Sequence, residues 1–286
     1  MRIKAPAKLN LNLHITGKTS QEYHLLDSLV VFTEFGDELE FSEADDLSLE
    51  ITGSFAQTVT TEDNLVLHAA RLLQPYASRP CGAHIVLHKE IPVGAGLGGG
   101  SSDAAVTLKA LHDMWGISLS DEKLAELALS LGSDIPVCLS GRSAWIAGIG
   151  DKITPVAIHA DLWMVLVNPG QSLATPKVYA AYDGDFRNEQ PHAKKIGSSQ
   201  ALFDIVMATY NDLQPAATTL CPEIDEVLNV LGLAPGAVMS RMSGSGATCF
   251  GLFRSVQEAQ QACSLIKQQH ANWWCVATKM IGSHEA

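Results

Sequence analysis

Basic residues are scarce in this chain: 19 Lys and Arg stand against 31 Asp and Glu, a formal net charge of −12. That balance excludes nucleic acid and anionic membrane as expected partners. It also means that an anionic substrate must be met by local donors or a bound cation, because the field of the whole protein repels it. Long apolar runs are absent, so no segment reaches membrane-spanning length. The start, Met1-Arg2-Ile3, has no secretory pattern, and the expected location is the cytoplasm. Cysteine is present six times but never as a C-x-x-C pair, which reads as buried, reduced thiols. His84 and His88 lie four apart in a strand pattern, and so read as a polar strand face and not a metal site. Internal repeats and low-complexity tracts are lacking. What remains is an ordinary globular balance, 47% apolar and 17% charged, in 286 residues, enough for two domains.

Glycine, by contrast, is concentrated. Five of the seven residues from Gly94 to Gly100 are glycine, within the stretch Pro92 to Ala105, PVGAGLGGGSSDAA. Ala83 to Ile91 before it has the β-branched content of a strand. Ala104, Ala105, Leu108, Leu111, Met114 and Trp115 after it recur at helical spacing until Gly116. The loop therefore opens a helix, where unpaired N–H groups and the positive end of the helix dipole collect. Glycine lets that main chain turn through positive φ and lie against a ligand. Ser101 and Ser102 add hydroxyls. A phosphate-cradling loop is the reading. The segment also satisfies G-x-G-x-x-G, but a dinucleotide-binding unit needs a second strand ending in an acid about 20 residues on. Asp113, at that spacing, lies inside the helix, and a P-loop would need a lysine after Gly99-Gly100.

Lys8 to Ile15 alternates strictly, with Leu9, Leu11, Leu13 and Ile15 on one face and Lys8, Asn10, Asn12 and His14 on the other. This predicts a half-buried strand with a wet polar face, although a cation followed by an amide also suits a phosphoryl group and an uncharged polar partner. Tyr23-His24 can cap a core or stack on and hydrogen-bond a heterocyclic base. Thr60 to Leu65 starts a helix that runs on through Leu72, Leu73 and Tyr76 and stops before Pro80. Ser120 caps a helix ending at Gly132. Asp134 follows on a sharp turn before a predicted strand, Val137 to Leu139. There it can make a local turn bond or reach a substrate hydroxyl. A boundary is expected near His159-Ala160, and Asp183 to Ser199 reads as an irregular surface loop. The later order helix, strand, Ser243 to Gly246 turn, strand, helix, strand indicates an α+β layer and not a doubly wound sheet.

Taken in series, Pro6-Ala7-Lys8-Leu9-Asn10-Leu11, Pro92 to Ala105 and Ser243-Gly244-Ser245-Gly246-Ala247-Thr248 resemble the GHMP kinase superfamily. Thr61 to Leu65 and Gly132 to Val137 extend the resemblance over essentially the whole chain. The Pro-Ala-Lys-Leu-Asn opening with Tyr-His is similar to the branch with a cytidyl substrate, more than to mevalonate, homoserine or galactose kinases. The resemblance implies a two-domain α+β fold: a nucleotide domain like ribosomal protein S5 at 1–159 and a ferredoxin-like, substrate-side domain at 160–286. It implies transfer of the γ-phosphoryl of ATP, with Mg²⁺, to the 2-hydroxyl of 4-diphosphocytidyl-2-C-methyl-D-erythritol in the non-mevalonate route to isoprenoids. The ATP loop carries over to Pro92, Val93, Gly94, Ala95, Gly96, Leu97, Gly98, Gly99, Gly100, Ser101 and Ser102, with Asn64 beside the nucleotide. The catalytic pair carries over to Lys8 and Asp134, and no direct protein ligand of the metal is implied. His24 matches the cytosine-binding histidine, with Tyr23 and Tyr179 as stacking partners and Asn10 near the reacting oxygen. The chain departs from the family at Glu22, where a glycine usually precedes Tyr-His.

Overall fold

The computed structural model describes residues 1–78 and 81–282. The elements begin with β1 (Arg2–Asn10), β2 (His14–Lys18), β3 (His24–Ala44), β4 (Leu47–Thr52), α1 (Leu65–Leu73) and β5 (Gly82–His88). Next come α2 (Gly99–Met114), α3 (Asp121–Leu131), α4 (Ile135–Ser140), β6 (Ala144–Gly148), β7 (Lys152–Pro155) and β8 (Ala157–Ile158). The chain continues with β9 (Trp163–Asn168), α5 (Thr175–Ala180), β10 (Lys195–Ile196), α6 (Ser199–Met207) and α7 (Gln214–Leu220). It closes with α8 (Glu223–Leu233), β11 (Met239–Met242), β12 (Cys249–Phe253), α9 (Val256–Gln269) and β13 (Trp274–Lys279). Pro80, the expected stop of the first helix, lies outside the described residues; α1 itself gives way to a 3₁₀ turn over Gln74–Tyr76.

Two compact units are present, and they interleave along the chain instead of dividing near 159. The first comprises Met1–Lys8, Gly36–Val93 and Gly98–Gly141; the second comprises Leu9–Phe35, Gly94–Leu97 and the chain from Arg142 onward. In the first unit β5 lies between β4, to which it is parallel, and the far half of β3, to which it is antiparallel. Helices α1 to α4 pack together, their apolar stripes buried at Leu67, Leu73, Leu108, Leu111 and Leu127. In the second unit the near half of β3 pairs with β2 and β6. A four-stranded antiparallel sheet in the order β11-β12-β9-β13, with α8 and α9 packed on its strands, is the ferredoxin-like layer expected. Its core is Val165, Val167, Ile224, Leu231, Phe253 and Ile266.

Three local expectations are corrected. The segment Lys8 to Ile15 is not one strand: β1 ends at Asn10 and β2 begins at His14. Its polar face is not wet either, since Lys8, Asn10, Asn12 and His14 are each no more than 4% exposed. Asn12 Oδ1 accepts from Leu29 N at 2.7 Å, and Asn10 Nδ2 donates to Ser28 Oγ at 2.8 Å, so the face is buried through its own hydrogen bonds. The predicted strand Val137 to Leu139 is the helix α4, opened by Pro136 and closed by Gly141 at φ +61°. The segment Asp183 to Ser199 is irregular only as far as β10 and is tied down. Arg187 N donates to Ile15 O, Gln190 N and His192 Nε2 meet the Asp27 carboxylate, and the His192 ring stacks 4.8 Å from Trp145.

Candidate active site

Within the glycine loop, Gly94, Gly96 and Gly98 take φ of +62°, +73° and +61°, while Ala95 and Leu97 between them are buried. The alternation is physical: positive φ is open to glycine, and the intervening apolar side chains anchor the turn. Successive carbonyls are taken up within the second unit, Gly94 O by Leu173 N, Ala95 O by Thr248 N and Gly96 O by Ser243 Oγ. With the carbonyls so engaged, no backbone N–H from Gly96 to Ser101 donates to a protein acceptor among the described residues. Gly96 also needs its missing side chain, since a Cβ there would lie 2.4 Å from Ser243 O. The second glycine–serine turn is therefore the support of the first. Gly98 caps α2 in the left-handed region without a side-chain bond, and no acid stands in the first turn. The result is a helix start with bare donors, the arrangement that receives anions.

In the first unit Lys8 Nζ lies 3.0 Å from Asp134 Oδ2, with the lysine side chain 5% and the aspartate 37% exposed. The lysine stem runs against Gly98, where a Cβ would lie 2.9 Å from Lys8 Cε. Ammonium, carboxylate and the cap of α2 thus meet although they are 126 positions apart at the extremes (Lys8 to Asp134). Asp134 is the residue before α4, but its side chain makes no capping bond. The carboxylate is not spent on the turn. Asn64 is spent: its Oδ1 accepts from Val66 N at 2.9 Å and its Nδ2 donates to Thr60 O at 3.1 Å, capping α1.

In the second unit His24 opens β3 with its ring 5.3 Å from Tyr179 and 5.7 Å, edge-on, from Tyr182. His24 Nε2 is buried without a hydrogen-bond partner. Burial and then the nearby Lys18 push this imidazole below its usual pKa, which favours the neutral ring. Of the two expected tyrosines, Tyr179 is beside His24; Tyr23 is 62% exposed and makes no ring contact with it among the described residues. Tyr182 is an addition, legible in hindsight from its i, i+3 spacing to Tyr179 at the end of α5. Asn10, whose N–H donates to Ser243 Oγ, lies against the second glycine turn. Glu22 holds φ +66°, the one non-glycine positive φ among the described residues, a conformation that favours glycine.

Two further clusters lie in the first unit. Glu38, Glu40 and His88 come close enough to hold a cation, but Arg2 pairs with both glutamates on this half-buried sheet face. Asp37, Lys89 and Asp103 form a buried group that sequence reading missed. Lys89 Nζ is 2.5 Å from Asp37 Oδ2 and 2.7 Å from Asp103 Oδ2. Burial, opposed by Lys89 and reinforced by Asp37, pushes the Asp103 carboxyl up to about 7.

Comparison with known proteins points to one family. The family model described as GHMP kinases N terminal domain matches residues 64–142, and GHMP kinases C terminal matches 191–272. A Paramagnetospirillum magneticum protein named 4-diphosphocytidyl-2-C-methyl-D-erythritol kinase is 44% identical over 279 residues, 98% of each chain. A Rhodospirillum rubrum protein of the same name is also 44% identical, over 97% of this chain and 92% of that one. Among solved structures, a 4-(cytidine 5'-diphospho)-2C-methyl-D-erythritol kinase superposes with TM-score 0.83 at 32% identity, covering 99% of this chain and 100% of that one. Homoserine kinase from Cytophaga hutchinsonii, at TM-score 0.67 and 18% identity over 99% of this chain and 94% of that one, shares the fold.

Proposed function

The chain belongs to the GHMP kinase family, and from that premise we propose that it transfers the γ-phosphoryl of ATP to the 2-hydroxyl of 4-diphosphocytidyl-2-C-methyl-D-erythritol. The observation that carries the reading is the Lys8–Asp134 pair at the bare start of α2. The stretch Pro92 to Ser102 takes the β- and γ-phosphates on its free amides. Phosphoryl transfer asks for alignment and charge neutralisation more than for covalent chemistry, and fixed donors supply both without reorganising. Lys8 offsets charge on the transferring group. Asp134 accepts the hydroxyl proton as the substrate oxygen bonds to phosphorus and the bond to the β-bridging oxygen breaks, leaving ADP. A positioned base of this kind contributes about 10²–10⁴-fold.

The donors beside the loop suit Mg²⁺. They are hydroxyl and carboxylate oxygens, and the Cys138 thiol, which feels Asp134 and Lys8, is kept protonated by burial. The Ser101 hydroxyl and phosphate oxygens would hold the ion, which supplies neutralisation of the β- and γ-oxygens when bound. On the substrate side the neutral His24 hydrogen-bonds the cytosine edge, Tyr179 stacks on the base and Tyr23 covers it from the exposed side. Asn10 steadies the reacting end. Asn64 acts on the nucleotide side through the start of α1. The test is a coupled ADP-release assay with the cytidyl substrate, mevalonate, homoserine and galactose. ADP release with the cytidyl substrate alone is expected; release with another acceptor and none with this one overturns the reading.

A further inference from the structure

The buried Asp37–Lys89–Asp103 group takes part in no step above, yet it lies directly under the start of α2. Asp37 comes from β3, Lys89 follows β5, and Asp103 is in the opening turns of α2. Asp37 Oδ1 accepts from both Glu90 N, at 2.6 Å, and Ile91 N, at 2.8 Å, fixing the main chain that enters the glycine loop. Its other oxygen takes Lys89 Nζ, which also reaches Asp103 Oδ2. One ammonium thereby ties the segment before the loop to the helix after it. Gly99, the first residue of α2, packs on the same ammonium: a Cβ there would lie 3.0 Å from Lys89 Nζ.

The arrangement is poor as a source of stability. Taking charges out of water costs more than packing apolar groups of the same size, unless every lone pair is satisfied. Here Asp103 Oδ1 has no hydrogen-bond partner, and two carboxylates share one cation beneath a helix end that receives an anion. What the group does supply is direction, because three hydrogen-bonded groups hold the two segments they join in one arrangement.

We propose that Lys89, clamped between Asp37 and Asp103, is a positioning residue that presets the start of α2 for the phosphates. This rests on the reading of that start as the nucleotide site. Calorimetric titration of MgATP into the wild-type chain, Asp103→Asn and Lys89→Met tests it, together with the steady-state constants. Asp103→Asn keeps nearly the same shape but removes the charge that ties residue 103 to the Lys89 ammonium. It is expected to weaken MgATP binding and to raise KM for ATP about tenfold or more, with KM for the alcohol substrate unchanged. A purely structural role would lower the melting temperature and leave the ATP constants where they were, and that result overturns the proposal. Should Asp103→Asn or Lys89→Met fail to fold, Lys89→Met combined with Asp37→Asn and Asp103→Asn leaves no charge in the group and carries the same titration. Hydrogen exchange of the unaltered chain gives a further check. Slow exchange of the Ser102 and Asp103 amides without nucleotide supports a preset helix start; fast exchange that slows only on adding MgATP overturns it. Wild-type protein that fails to bind MgATP removes the nucleotide reading itself, whereas wild type and Asp103→Asn binding equally well removes only the clamp.

Discussion

A methyl group on Gly98 would meet Lys8 Cε at 2.9 Å in a backbone conformation of φ +61°. Gly98→Ala is therefore expected to do two things at once. It strains the left-handed cap by about 1–2 kcal/mol, and it displaces the lysine from Asp134. Turnover should fall while the fold survives, and normal turnover in a folded variant would show that the Lys8 stem moves freely. Asp134→Asn separates proton acceptance from nucleotide binding. Turnover is expected to drop by about 10²-fold or more, with ATP affinity by calorimetry unchanged, since the aspartate makes no bond that shapes α4. Glu22 is the reverse of Gly98, a side chain where a hydrogen atom fits better. Its N–H donates to Thr19 O, and Thr19 N donates to Tyr23 O, so the turn between β2 and β3 demands the positive φ. Glu22→Gly removes that strain but gains unfolded-chain entropy, and the net stabilisation should be at most about 1 kcal/mol. A denaturant midpoint that rises at constant slope checks it.

At the scale of the element, the ends of helices decide most. The last helix, α9, begins with a full capping box, Ser255 Oγ accepting from Glu258 N and the Glu258 carboxylate accepting from Ser255 N. Ser255→Ala is expected to cost about 1 kcal/mol and to leave KM for both substrates unchanged, a check by thermal melt and kinetics together. Signals of this kind are what made α3 readable: the Ser120 cap, a buried stripe and the Gly132 stop within one short window. The glycine loop was readable for the same reason, because its conformation is written in its own residues. Helix α4 was not. Six residues, Ile135–Ser140, hold too few turns for apolar spacing to separate a helix from a buried strand. The burial of Asn10 and Asn12 was equally hidden, since Ser28 and the Leu29 amide that satisfy them lie on another strand. Most of all, Lys89 reads as one more charged residue until the fold brings Asp37 from 52 positions before it and Asp103 from 14 after it. Pairings at such separations carry no local mark.

Over the whole molecule, stability sums the proton affinities of every group that folding perturbs. His14 is the clearest contributor on the acid side. It is 4% exposed, its Nε2 accepts from Tyr210 N at 3.2 Å, and its Nδ1 has no partner. Burial lowers its pKa, with Arg187 and Arg241 in the same sense and Asp212 and Asp27 opposing. The folded chain thus holds His14 neutral below 6.5, where the unfolded chain takes up the proton. Stability from this group is whole above 6.5 and is lost as pH falls toward the lowered native value. Asp103 runs the other way. Its raised carboxyl keeps a proton in the folded state between its ordinary 3.8 and about 7, so its contribution falls as pH rises through that range. The two slopes oppose each other in the wild-type curve, and a single melting profile cannot assign either. The difference between two chains can, because Asp103 cancels. His14→Asn keeps an acceptor for Tyr210 N without a titrating ring. As pH falls from 7.5 to 5.0 its melting temperature is expected to rise relative to that of the wild type, at roughly the linkage slope of one proton. Parallel profiles for the two chains would show that His14 takes up its proton in the folded state as readily as in the unfolded one.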